Sequence, residues 1–364
     1  MNISAAELKS TLRKLAPVKT ESYVIGEHGI YAQDSDVMPV LESPLSGLGA
    51  AFSIDRKFAS IVNKMSGQIE ITRQEKSLVL KSAKARVELE IQNIKPPVFP
   101  KKAEKVMVFP ATEFKKALAV AAASASPAKS APFGGSVQIQ NLPLGIEDET
   151  ASGYRIVGTD SIMLTEAVVD DVPGLPEFKT LLNLSAAAVV QLMDCESLTI
   201  GETNTHLVIS GGGMTVYASK PVQAYPNFDI LLNLTPKVTF SFNPEEVLSA
   251  LKTVEPLIDE SVGQGGISLL FKDSVVQCSC TGVGSTASDE APAEQIDPDP
   301  IFEPRNTSIR LKAKYLSSFL SKAKDMSTLS LADNPGRKGW EIVKLNYEGV
   351  QVIIMPLDKP KGAK

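Results

Sequence analysis

The sequence predicts an α+β chain assembled from three similar modules. Two observations carry that expectation. First, a strand–helix–strand pattern recurs three times: Phe52-Ser53-Ile54-Asp55 leads into a helical run over 58–66 and then Ile69-Glu70-Ile71; Leu182-Asn183-Leu184-Ser185 leads into 189–195 and then Leu198-Thr199-Ile200; Ile309-Arg310-Leu311-Lys312 leads into 316–323 and then Leu329-Ser330-Leu331. Second, the remaining apolar residues fall in short alternating runs bounded by turn residues, the pattern of half-buried strands. A repeat on this scale governs how every local motif is read.

Each module also opens with a helix. Residues 4–15 place Ala5, Leu8, Leu12 and Leu15 at helical spacing, with Ser4 as an N-cap three residues before Glu7. Residues 111–123 do the same with Phe114, Ala117, Leu118 and Ala121. In 243–254, Val247, Leu248, Leu251 and Val254 follow an Asn243 cap and a first-turn Pro244. The second helices fall at 55–64, 185–194 and 312–325. Strand signals cover 78–80, 87–91, 206–209, 214–217, 267–271 and 350–354. The modules run over 1–105, 106–235 and 236–364, joined by proline-punctuated segments at 95–100 and 232–236. The stretch 282–304 holds six carboxylates and four prolines with no Lys or Arg, and reads as an exposed acidic loop.

With 364 residues and 43% hydrophobic content, the chain is large enough for two or three cores. Its net charge of −5 argues against nucleic acid unless the bases gather on one surface. They are gathered: the expected helices are net basic. Lys9, Arg13, Lys14, Lys64, Lys115, Lys116, Lys314 and Lys322 lie on or beside them, and Lys129 follows in the loop after 111–123. Solvated helix faces and a phosphate-facing surface both fit this distribution. Enzyme chemistry does not. Only two histidines occur, His28 and His206, neither with a carboxylate or cysteine pattern around it, and no G-x-x-x-x-G-K-[ST] loop is present. Cys278-x-Cys280 lacks companion zinc ligands, and three cysteines in this arrangement suit small apolar roles in a reducing compartment. No cofactor or metal is expected. Neither a signal peptide nor a membrane span is visible, so the expected location is the cytoplasm.

Three segments carry a family resemblance. Tyr154-Arg155-Ile156-Val157-Gly158-Thr159-Asp160-Ser161-Ile162-Met163-Leu164 resembles the Ala-Thr-Asp-Gly-His-Arg-Leu segment of bacterial sliding clamps, the beta subunit of DNA polymerase III. Residues 217–228, ending Tyr225-Pro226-Asn227-Phe228, are similar to that family's Thr-Ser-Lys-Leu-Val-x-Gly-x-Phe-Pro-Asp-Tyr. Val352-Ile353-Ile354-Met355-Pro356-Leu357 is similar to its terminal Val-Val-Met-Pro-Met. The resemblance spans the whole chain in order. It implies two helices and two small antiparallel sheets per module, and six modules closed into a ring by a head-to-tail homodimer. Helices would line the hole around double-stranded DNA, held without regard to sequence. A separate ATP-dependent clamp loader and a replicative DNA polymerase are the implied partners.

Carried over residue by residue, the resemblance implies a partner-peptide pocket from Thr159, Ile162, Met163, Leu164, Pro226, Ile230, Leu231, Ile353, Met355 and Pro356. It places Val87 and Leu89 of one chain against Leu257 and Ile258 of the other at the dimer interface. Core packing is the competing assignment for Thr159, Leu164, Leu257 and Ile258. Ser161-Ile162-Met163 stand where the family has Gly-His-Arg, and Ile230 where an Arg is common. The pocket is therefore expected to be more apolar and to prefer different partners, as a phage-encoded clamp serving its own replication machinery would. The tail 358–364 runs past the family's usual end, beside the mapped pocket. The alternative function is an interaction scaffold of the same fold that no longer slides on DNA.

Overall fold

Apolar residues three and four apart give the helices one buried stripe each, and every helix except the fifth is entered directly from a strand. The computed structural model describes the chain apart from residues 101–102, 128–134, 143–152, 171, 173–177, 222–223, 259–265, 273, 283–284, 299–307, 339 and 358–364. Among the described residues are seven α-helices: α1 (Ala5–Leu15), α2 (Lys57–Lys64), α3 (Ala111–Ala122), α4 (Leu184–Val190), α5 (Asp229–Leu232), α6 (Pro244–Val254) and α7 (Ala313–Leu320). No described helix is long and apolar enough to cross a membrane.

The caps are as the sequence predicts at two helices. Ser4 Oγ accepts from the Glu7 N–H at 3.1 Å, and Asn243 Oδ1 from the Glu245 N–H at 2.9 Å. The helix expected over 185–194 starts at Leu184 instead, because Asn183 is its cap, accepting from the Ala186 N–H at 2.7 Å. The helix expected over 312–325 stops at Leu320, which leaves Lys322 beyond its end.

Two compact units emerge from the contacts: residues 1–122, 126–156 and 169–224 in the first, and 123–125, 157–168 and 225–364 in the second. Strands collect into two large antiparallel sheets rather than small separate ones, because short sheets join edge to edge. In the first unit the order is Asn2–Ser4, Gln68–Arg73, Ser77–Lys81, Arg86–Asn93, Phe52–Asp55, Ser22–Gly26, Gly29–Tyr31, Val37–Leu41, Met214–Ser219, His206–Gly211, Ser197–Glu202 and Glu104–Pro110. The join lies between Val37–Leu41 and Met214–Ser219, with Met214 opposite Leu41 and Ala218 opposite Val37. In the second unit the order is Met163–Val169, Val350–Ile354, Glu341–Tyr347, Ser327–Asp333, Val238–Phe242, Ser285–Pro298, Val275–Gly282, Gly266–Phe271 and Ser308–Lys312. Its join sets Met163 opposite Ile354 and Ala167 opposite Val350.

The acidic stretch is not a loop over its described length. Ser285–Pro298 is a long strand, paired first with Val275–Gly282 and then with Val238–Phe242. Ala291 and Ala293 are buried on one face while Glu290 and Glu294 stay exposed, so the strand alternates normally with alanine as its apolar residue. Two strands keep an unpaired flank among the described residues. Residues 86–90 pair only with Ser77–Lys81, and residues 285–292 only with Val275–Gly282.

Each core is filled by helix stripes packed on sheet faces. Leu8, Leu12, Leu15, Phe58 and Val62 are buried in the first unit, where Phe109 meets Tyr154 edge-on at 4.9 Å. In the second unit Phe240 stacks on Phe271 at 4.7 Å, and Val247 and Leu251 on α6 and Leu316 and Phe319 on α7 are buried. Cys195, Cys278 and Cys280 are free thiols, the last two buried. Gly29 has φ 119°, and a Cβ there would lie 1.9 Å from Leu41 O. Gly29→Ala is expected to lower the unfolding free energy by about 3 kcal/mol, read from urea titration of both proteins.

Candidate functional site

In the second unit the chain reverses at Asp160–Ile162, and the sequence dictates how. Thr159 Oγ1 donates to Met163 O at 2.8 Å and accepts from the Ser161 N–H at 3.0 Å. Asp160 Oδ1 accepts from the N–H groups of Ile162 and Met163 at 3.0 and 2.8 Å. Ser161 sits at φ 76°, a left-handed conformation that these side-chain bonds hold in place. The returning strand pairs with Val350–Ile354, and the Met355 N–H donates to Ile162 O at 2.9 Å.

Above this turn lies an apolar cluster. Val157, Leu164, Leu232, Ile342 and Ile353 are its buried base, and Tyr225, Phe228, Leu231, Leu234 and Met355 pack on it half-exposed. Half-exposed apolar side chains on a buried apolar floor are what a docking pocket presents. Two of its walls are pinned by polar bonds. Tyr225 donates to Val157 O at 3.1 Å and stands edge-on to Phe228 at 5.5 Å; burial raises its phenol pKa, so it remains a donor. The short helix α5 carries Leu231 and Leu232, and its end is gripped by Lys344, whose ammonium donates to Leu232 O at 2.9 Å and Leu234 O at 3.0 Å. Burial lowers the Lys344 pKa while nearby Glu166 works against that shift.

Of the residues expected at this pocket, Leu164, Leu231, Ile353 and Met355 join the cluster. Thr159 is buried and spends its hydroxyl on the turn. Ile162 is half-buried on the turn, Met163 next to it and Pro356 next to Met355 are buried, Pro226 is half-buried, and Ile230 is 64% exposed. Sequence reasoning missed Val157, Tyr225, Phe228, Leu232, Leu234 and Ile342. Within the segment 232–236, Leu232 and Leu234 belong to the apolar cluster.

The basic residues divide by surroundings. Between α1 and α2 in the first unit lies an open cleft of about 590 Å³ lined by Lys9, Arg13, Arg56, Ser10, Ser60 and Asn63 among others, with no carboxylate in its lining. Arg56, not singled out from the sequence, is held by bonds to Thr20 O and Ala16 O, both at 3.2 Å. Lys14 is half-buried on α1 and Lys64 exposed at the end of α2. Lys115 donates to Met193 O at 2.8 Å, which ties it to the protein, while Lys116 is exposed. Lys314 lies 4.9 Å over the Tyr315 ring, and desolvation lowers the pKa of Lys322. Lys129 and the tail 358–364 lie outside the described residues. The α4 helix carries no charge, and α6 begins with Glu245 and Glu246.

Val87 and Leu89 are half-buried on the strand with the unpaired flank at 86–90. Leu257 and Ile258 are half-buried at a 3-10 turn, Glu255–Leu257, that packs beside Val275–Gly282 and Ser285–Pro298. Among the described residues no group of three or more His, Cys, Asp and Glu gathers as metal ligands would.

No family model matches the sequence, and no curated protein matches it. Solved structures do. The DNA polymerase III beta subunit of Thermotoga maritima superposes with a TM-score of 0.81 at 15% identity, over 98% of both chains. The DNA polymerase sliding clamp of Bacillus subtilis gives 0.80 at 16% identity, again over 98% of both. The chain has the fold of the bacterial DNA polymerase III beta sliding clamps. A sliding clamp of Bartonella birtlesii bound to griselimycin superposes equally well, with a TM-score of 0.81, 15% identity and 98% of both chains covered. In this clamp fold α5 depends on the Lys344 grip. Lys344→Met is expected to cost about 1–3 kcal/mol of stability, measured by urea unfolding, because the buried Leu232 carbonyl and the partly buried Leu234 carbonyl lose their ammonium donor.

Proposed function

We propose that this protein is a DNA sliding clamp: two copies close head to tail into a ring around duplex DNA and hold a replicative polymerase through the apolar pocket. The observation that carries this reading is the pattern of strand joins. Taken as modules 1–105, 106–235 and 236–364, the first and third each show, among the described residues, eight strands in two four-stranded groups and two helices entered from strands. Val37–Leu41 closes the second group of one module and pairs with Met214–Ser219, which closes the first group of the next. Met163–Val169 meets Val350–Ile354 by the same rule. Applied once more, the rule pairs Ser285–Pro298 with Arg86–Asn93, whose unpaired flanks belong to opposite ends of the chain. A second copy satisfies both flanks twice over, and a heterologous contact that closes makes a ring.

The rest follows from charge and topology. Enclosure makes strong adhesion unnecessary, which lets a chain of net charge −5 hold DNA. Lys9, Arg13 and Arg56 in a carboxylate-free cleft supply a weak, sequence-independent attraction to phosphates. The pocket takes a short partner segment with an apolar anchor. Covering about 200 Å² of its apolar surface contributes roughly 5 kcal/mol before ordering costs. The griselimycin-bound clamp supports a ligand-binding surface on this fold. Nothing in this role requires chemistry by the chain itself, so a separate ATP-driven loader opens the ring. Free thiols suit the cytoplasm.

The uncharged α4 and the acidic start of α6 favour a second reading, a scaffold that no longer slides. Retention after loading separates them. A ring stays on nicked circular DNA and is lost when that DNA is linearised; a scaffold shows no difference between the two. Leu231→Asp is expected to abolish polymerase stimulation and leave retention on the circle unchanged. Stimulation that survives the substitution means the pocket lies elsewhere.

A further inference from the structure

Asp160 is held by more than its own turn. While Oδ1 accepts from the Ile162 and Met163 N–H groups, Oδ2 accepts from the hydroxyl of Tyr315 at 2.5 Å. Tyr315 stands on α7 and is 6% exposed. Burial and the facing Asp160 both raise its pKa, so the phenol keeps the proton it donates. Three donors on one carboxylate fix its rotation, and with it the backbone of a turn whose Ser161 is already in a left-handed conformation. The turn passes this placement on, because Ile162 O accepts from the N–H of Met355, a member of the apolar cluster.

We infer that Tyr315 is a positioning residue for the partner pocket: through Asp160 it fixes Ile162, Met163 and Met355, and so decides which apolar anchor the pocket accepts. This rests on the pocket reading given above. A carboxylate that loses its third donor regains rotational freedom about its last bond, and the two N–H groups on Oδ1 move with it. Ile162 and Met163 occupy the positions that differ from the clamp segment this turn resembles, so their placement bears on selectivity as well as strength.

The test uses the full chain with Tyr315→Phe, which keeps the ring and removes only the hydroxyl. Its probes are three fluorescein-labelled, capped pentapeptides that differ at a single anchor position, Leu, Met or Phe, read by fluorescence polarisation. The wild type is expected to rank the three. Tyr315→Phe should weaken the best peptide by about threefold to tenfold and narrow the spread between best and worst, while urea unfolding stays a single cooperative transition at a somewhat lower midpoint. Asp160→Asn should act through the same contact, so the double variant should be no weaker than the weaker single one. Equal affinity and equal ranking in wild type and Tyr315→Phe overturn the inference. So does a uniform loss across all three peptides, which marks a general packing role. If the wild type binds none of the three, the pocket reading itself falls and the inference with it.

Discussion

Residues 86–90 and 285–292 each present a row of backbone N–H and C=O groups that no strand among the described residues takes up. Unpaired strand flanks of this kind are templates for another chain, and proteins that keep them exposed face aggregation. Both flanks here have half-buried or small side chains on the inward face, including Val87 and Leu89, and charged groups such as Glu88 and Glu290 outward. In the proposed ring, backbone bonds along these flanks give the pairing and the polar face limits where it happens. The two joins already made within the chain set the geometry such a partner must reproduce.

Closure changes what the remaining surfaces need to achieve. In the proposed ring, DNA is kept by topology, so a few bases in the α1–α2 cleft suffice and much of the rest of the chain can be acidic. Weak contacts also permit movement along the duplex, because a phosphate contact carries no sequence information and exchanges readily with salt. The pocket obeys the opposite logic. Its base is buried, Lys344 and Tyr225 hold its walls, and half-buried apolar side chains pack over it. On the proposed reading, one surface is loose so that it can slide, and the other is held so that it can select.

Much of this was legible in the sequence. Helical periodicity found six of the seven α-helices among the described residues, and the Ser4 and Asn243 caps fell where side-chain chemistry places them. The misses have physical causes. Ser285–Pro298 was taken for a loop because its buried face uses Ala291 and Ala293, which carry no strong hydrophobic signal, and its composition is acidic and proline-containing. The α5 helix spans only Asp229–Leu232, too short for any periodicity to register. Of the apolar cluster, Leu164, Leu231, Ile353 and Met355 are reached through resemblance. Lys344 and Ile342 were invisible because they come from a strand whose pairing brings them under α5, a placement set by sheet register and not by any local pattern.

The account stands or falls on the number of chains that satisfy the two open flanks. Sedimentation equilibrium over a range of protein concentrations measures this directly. The account predicts a species of two chains that dissociates to single chains only on dilution and never grows beyond two. A single-chain mass at every concentration, or open-ended growth to larger species, would contradict it.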